Sequence, residues 1–192
     1  MILTLTGASG AGKSTLAKAL IRLLPSAGLS PGCTTRAMRP TETSADVHHV
    51  SQAEFKEMRQ RDEFLWTVEV HGQWYGTLRR VVTDGLTNRS HCLIFALTAD
   101  VLPKLRDFAK DIGHRDAVCS IYVLSPEPKA LRARLSARET DRETIERRIV
   151  DCKNWDDAAR SSDLYDLLVS GEGDVEQNAK QVIDRLAILK AD

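Results

Sequence analysis

Gly7-Ala8-Ser9-Gly10-Ala11-Gly12-Lys13-Ser14 decides how the rest of the chain is read. It fits G-x-x-x-x-G-K-[ST] at every fixed position. An apolar run, Ile2–Thr6, precedes it, and a stretch with helical apolar spacing, Ser14–Leu24, follows it. Strand, glycine-rich turn and helix in that order let successive backbone N–H groups converge on one anion. The helix adds the positive end of its dipole. The match predicts a cradle for nucleotide phosphates built by Gly7, Ala8, Ser9, Gly10, Ala11, Gly12, Lys13, Ser14 and Thr15. Lys13 is expected to reach the β- and γ-phosphates as a catalytic cation, and the Ser14 hydroxyl to ligate Mg²⁺. Such a cradle implies nucleotide binding, and it leaves a kinase, a switch GTPase and a motor unseparated.

Outward from the cradle, further apolar segments at Cys92–Leu97, Val118–Leu124 and Leu164–Val169 read as strands. Helical spacing recurs at Val101–Lys110, Pro128–Ala137, Thr144–Ala159 and Val175–Leu189. Short apolar strands alternating with helices predict an α/β fold: a P-loop NTPase core whose parallel sheet carries helices on both faces. Residues 31–79 break that pattern. They hold paired histidines, an alternating Val68/Val70 segment and a run ending Gln-Trp-Tyr-Gly-Thr. Ser51 is placed to cap a helix reaching about Arg61, with Glu54 completing a capping box. This stretch reads as a small α+β lobe inserted into the core.

Bulk properties narrow the function classes. The 192 residues carry 27 Lys+Arg against 27 Asp+Glu. That balance argues against a nucleic-acid partner, which calls for a basic excess. No segment approaches the roughly 18 apolar residues of a membrane span, and the N-terminus does not read as a secretory signal. Cys33, Cys92, Cys119 and Cys152 are far apart, without zinc-ligand spacing, as in reduced thiols of a cytoplasmic protein.

The acceptor side begins at Thr34-Thr35-Arg36-Ala37-Met38-Arg39-Pro40. Two guanidiniums three residues apart offer planar forks suited to a phosphate. Alone, the pair reads equally well as two surface arginines in weak ion pairs. The Tyr75 phenol in Trp74-Tyr75-Gly76-Thr77 offers a further donor.

With these pieces in order, the chain resembles a guanylate kinase. The resemblance is carried by the P-loop, Thr-Thr-Arg-x-x-Arg-Pro at 34–40, Glu42, Ser-x-x-Glu-Phe at 51–55 and Glu-Phe-Leu at 63–65. It continues through Glu-Val-His-Gly-x-Trp-Tyr-Gly-Thr at 69–77, Arg134-Leu-x-x-Arg138 and Ile145-x-x-Arg148. The resemblance implies one domain over 1–192, with a core of 1–30 and 80–192, an acceptor lobe of about 31–79 and a helical lid of about 134–148. It implies that Arg36, Arg39 and Tyr75 hold the phosphate of a small phosphorylated acceptor, with Thr77 beside them. It implies that Arg134, Arg138 and Arg148 act as catalytic cations of the lid, with Mg²⁺ and ATP as phosphoryl donor. A homodimer is compatible with this reading. The family usually has a Gly after the Arg138 position, where this chain has Glu139.

Three departures fall where the resemblance places the readers of guanine. Val47 stands at a Tyr position, Trp66 at a Glu position, and Phe95-Ala96-Leu97 where acidic residues end a strand. Trp66 is therefore an acceptor-site residue that can donate but not accept. Leu102-Pro103-x-x-Arg106 is more similar to the ribose 1,5-bisphosphate phosphokinases. Asp100 reads as a helix N-cap or as the holder of a magnesium-bound water. His48 and His49 read as surface or core histidines before pocket residues. The expected activity is transfer of the γ-phosphoryl group of ATP to the phosphate of a nucleoside monophosphate. The alternatives are ribose 1,5-bisphosphate phosphorylation and a non-catalytic interaction module.

Overall fold

The computed structural model describes residues 1–38, 47–70, 72–88, 90–137 and 141–191. β1 (Ile2–Thr6) runs up the middle of a five-stranded parallel sheet and delivers the chain to the P-loop, after which α1 (Lys13–Leu23) returns it. β2 (Ala27–Leu29), β7 (Cys92–Ala96), β8 (Val118–Val123) and β9 (Leu167–Val169) complete this sheet in the order β2-β7-β1-β8-β9. Alternation along β1 loads both faces. Leu3 and Leu5 pack with Leu16 and Leu20 of α1 and with Val182 and Leu186 of α7 (Val175–Ala191). Ile2 faces the other way, onto Val82 and Leu86 of α3 (Arg79–Thr87) and Leu102 and Leu105 of α4 (Leu102–Asp111). Both faces of the sheet are thus covered, as the sequence predicts for parallel strands.

The inserted segment forms a second sheet, β4-β3-β6-β5, from β3 (Gly32–Thr34), β4 (Val47–His49), β5 (Phe64–Val70) and β6 (Gln73–Leu78). β3 pairs parallel with β4 and antiparallel with β6, and β5 pairs antiparallel with β6. α2 (Gln52–Gln60) covers one face, where Phe55 and Met58 pack with Cys33, Phe64 and Leu78. Ser51 caps α2 as expected, its hydroxyl accepting from the Glu54 N–H at 3.1 Å.

A register shift between Phe64 and Trp66 decides which face of this sheet each of them takes. Phe64 pairs with Leu78 and Trp66 with Thr77. The extra residue flips the alternation, so Phe64 stacks on Phe55 under α2 while Trp66 turns to the opposite face.

Several boundaries differ from the sequence reading. β2 and α3 are not foreseen by it. The expected strand at 164–169 shrinks to β9, because the Ser120 N–H bonds the Asp166 carboxylate at 2.7 Å rather than a strand carbonyl. Arg106 closes the same cluster, donating to Ser120 Oγ, the Leu164 carbonyl and Asp166 at 2.9–3.2 Å. Arg106 is therefore a clasp between α4 and the β8–β9 edge. Asp100 is not the N-cap of α4: it sits inside a short 3₁₀ turn, Ala99–Val101, that Thr98 begins, Val101 holds the N-cap position of α4, and no side chain caps either element. α5 (Pro128–Ser136) and α6 (Arg142–Arg160) form a helical pair whose Leu131, Leu135, Ile145 and Cys152 pack on Ala8 of the P-loop.

Candidate active site

The loop after β1 curls as its glycines allow. Gly12 sits at φ +111°, left-handed backbone that favours glycine, and its carbonyl accepts from the Thr15 and Leu16 N–H groups to start α1. Among the described residues, no backbone carbonyl accepts from the N–H groups of Gly10, Gly12, Lys13 or Ser14. Backbone donors without a carbonyl partner at a helix N-terminus, where the dipole is positive, are what holds phosphate. The Lys13 ammonium lies over the loop, donating to the Gly7 and Ala8 carbonyls at 2.6 and 2.8 Å. Burial holds its pKa below the ordinary lysine value, with the neighbouring Cys152 acting in the opposite sense.

A cleft of about 610 Å³ runs along this loop, lined by residues 8–16 and by Arg134, Glu172 and Asn178 among others. Its far wall is the turn after β9. That turn comes so close to the loop that a Cβ on Gly171 would press on the Leu124 carbonyl and lie 2.5 Å from the Ala11 carbonyl. Arg134 ties the three parts together, donating to the Gly10 carbonyl at 3.0 Å and the Gly171 carbonyl at 3.1 Å. Ser14 and Thr15 present exposed side chains on the cleft. Mg²⁺ takes one or two protein oxygens and fills its other positions with water and phosphate oxygens. The Ser14 hydroxyl, in the first turn of α1, fits that habit.

A second cleft of about 360 Å³ opens between the inserted sheet and the end of β7. Register sets its floor. Gly32 pairs with Val47 and Trp66 with Thr77, while Thr34 pairs with Tyr75, which pairs with Val68. Alternate residues of neighbouring strands therefore share one face. Arg36, Trp66, Tyr75 and Thr77 line this cleft together, with Val47, Ala96, Leu97, Thr98 and Val101. Thr34 is spoken for: its hydroxyl donates to the Trp74 carbonyl at 2.8 Å and accepts from the Arg36 N–H at 3.1 Å. The Arg36 carbonyl in turn lies 2.8 Å from His49 Nδ1. His49 thus sets the Arg36 backbone, while His48 is exposed, and neither lines the cleft. Trp66, only 7% exposed, belongs both to this wall and to the cluster that seats the lobe on the core sheet.

The expected residues divide accordingly. Lys13, Ser14, Arg134 and the loop gather at the first cleft; Arg36, Trp66, Tyr75 and Thr77 gather at the second. Arg148 is half-buried on α6 and is not among the residues lining either cleft. Arg39 and Arg138 lie outside the described residues. Sequence reasoning missed Glu172, in the turn after β9, and Asn178, in the first turns of α7, because no motif marks either. It also missed Asp156, whose carboxylate accepts from the Tyr122 hydroxyl at 3.0 Å and the Ser125 N–H at 2.9 Å, fixing α6 to the end of β8. Burial first, then this carboxylate, raises the Tyr122 pKa, so the phenol keeps its proton.

A parallel sheet ending in a P-loop, with a second cleft fed by an inserted lobe, defines a phosphotransferase of the P-loop kinase class. The guanylate kinase family model matches residues 1–188. A guanylate kinase of Symbiobacterium thermophilum is 30% identical over 194 residues, covering all of this chain and 85% of its own length. One of Anaeromyxobacter dehalogenans is 34% identical over 171 residues, covering 88% of this chain and 72% of its own. Among solved structures, a guanylate kinase from Anaplasma phagocytophilum matches with a TM-score of 0.63 at 24% identity, over 98% of this chain and 85% of that one. A shikimate kinase from Acinetobacter baumannii matches at 0.52 and 15% identity, over 100% and 95% of the two chains. These two likenesses bear on the fold.

The chain belongs to the guanylate kinase family. Its activity is ATP-dependent phosphorylation of a nucleoside monophosphate, and the matches favour this over a ribose 1,5-bisphosphate kinase or a non-catalytic module.

Proposed function

We propose that the chain moves the γ-phosphoryl group of Mg·ATP, bound along the P-loop, onto the phosphate of a nucleoside monophosphate bound in the lobe cleft. GMP is the first acceptor to try, since the relatives are guanylate kinases. One observation carries the reading: Arg36, Trp66, Tyr75 and Thr77, scattered in sequence, line a single cleft. That cleft shares Thr98 with a neighbouring hollow that reaches Thr6 and Gly7 at the root of the P-loop.

In this mechanism the acceptor's phosphate oxygen forms a bond to Pγ while the Pγ–oxygen bond to ADP breaks, and ADP leaves with the electron pair. The nucleophile is already an anion, so no general base is required. The chain's work is positioning and neutralising charge on the phosphoryl oxygens. The loop N–H groups hold the donor's phosphates, and Lys13 swings its ammonium from two carbonyls onto them. Mg²⁺, held through Ser14, supplies charge neutralisation when bound. Arg134 sits at the lip of the donor cleft, and the family resemblance assigns the same charge-neutralising role to Arg138 and Arg148. Arg36, Arg39 and Tyr75 grip the acceptor phosphate, with Thr77 beside them. The test is product analysis with Mg·ATP and GMP. ADP and GDP in equal amounts support the reading; ADP alone, or no turnover with any nucleoside monophosphate, overturns it.

A further inference from the structure

We infer that the acceptor cleft reads the shape of the base and not its hydrogen-bond pattern, so that this kinase accepts several nucleoside monophosphates with similar efficiency. This rests on the proposed kinase function, because it concerns the far end of the same acceptor.

The described lining of the lobe cleft contains no carboxylate and no side-chain amide. Its polar groups are few and each is accounted for. Arg36 and Tyr75 serve the acceptor phosphate under the proposed function. The Thr34 hydroxyl is committed to the Trp74 carbonyl and the Arg36 N–H. The Cys33 side chain packs on the other face of the sheet, with Phe55 and Met58 of α2. Thr77 and Thr98 carry hydroxyls, which rotate to donate or accept and so impose no fixed pattern. The remaining wall, Val47, Trp66, Val68, Ala96, Leu97 and Val101, is carbon save for the Trp66 indole N–H, a single donor for which every base carries an acceptor.

Physical precedent sets the expected selectivity. A site built to hydrogen-bond its substrate rejects the wrong analogue by roughly 10⁴–10⁵, whereas an apolar pocket discriminates by only about 10–200-fold. Guanine's distinguishing feature is a pair of adjacent donors, N1–H and the exocyclic amino group, and recognising it calls for a matching acceptor pair such as a carboxylate. The strand that ends at this cleft could offer one at position 96, where the side chain is exposed and a charge is tolerated. The residue there is alanine.

The experiment measures kcat/KM on the intact chain with Mg·ATP and a panel of GMP, AMP, CMP and UMP, and repeats it for Ala96→Asp. A spread of no more than about 200-fold across the panel, the limit of an apolar pocket, supports the inference. A larger spread in favour of one base overturns it and leaves the proposed function standing. No turnover with any member overturns the proposed function and takes the inference with it. In Ala96→Asp the ratio of GMP to AMP efficiency is expected to rise by about tenfold or more, the scale of one good polar contact. An unmoved ratio would mean the base lies elsewhere, which overturns the inference.

Discussion

The donor cleft and the acceptor cleft are built by opposite means. The donor cleft is a backbone structure: N–H groups after β1, carbonyls that hold Lys13 and Arg134, and a turn at Gly171 pressed against both. The acceptor cleft is a side-chain structure, with contributions from four strands and the end of β7. A backbone site tolerates little change at its close approaches and needs few particular side chains. A side-chain site can change what it binds by substitution while its sheet stays folded. Within one chain, the first kind of site fixes the chemistry and the second leaves the acceptor adjustable.

Lys13→Ala should separate the two most strongly. Removing the Lys13 ammonium from the donor cleft is expected to lower kcat/KM by at least about 10³-fold, some 4 kcal/mol of transition-state stabilisation. The protein should stay folded, because Lys13 is bonded only to loop carbonyls. Steady-state rates and circular dichroism check both points. Gly171→Ala adds one methyl where the three nearest atoms are all backbone. It is expected to cost about 3 kcal/mol of stability, at the upper end of overpacking effects, and to raise the KM for ATP. Denaturant titration reads the first part.

The side-chain cleft should respond more mildly. Val47→Ala trims a half-buried residue on an edge strand. Its expected cost is about 1 kcal/mol of stability, with a several-fold change in acceptor KM and none in the KM for ATP. A loss as large as that of Gly171→Ala would erase the contrast. The smallest effect is on pH dependence. Lys13 must be protonated to act, so kcat/KM for ATP should fall as pH rises through its free-enzyme pKa. Burial lowers that pKa, so the alkaline limb should appear below the ordinary value of 10.5. A limb at or above that value would mean the lysine is not desolvated.

The same contrast explains what the sequence disclosed. The P-loop is legible because its geometry depends on glycines at fixed spacing and on a strand and helix around them. The core strands at Ile2–Thr6, Cys92–Ala96 and Val118–Val123 are legible because they are buried on both faces. α3 is not legible because Gly85 interrupts its apolar spacing; that glycine is there because a Cβ would crowd Leu93 and Ile2. The orientation of Trp66 could not be read from alternation, since the bulge beside it reverses which face each residue takes. Asp156 and the Arg106–Asp166 clasp join segments far apart in sequence, and nothing local marks them.

Under the proposed function labour is divided, with ATP held by the P-loop cleft and the acceptor phosphate by the lobe cleft. The most direct measurement is the pair of KM values, for ATP and for the nucleoside monophosphate, in Arg36→Ala. The account predicts an acceptor KM raised by about tenfold or more, the cost of one charge-assisted contact, with the KM for ATP unchanged. An unchanged acceptor KM, or a rise confined to ATP, would contradict it.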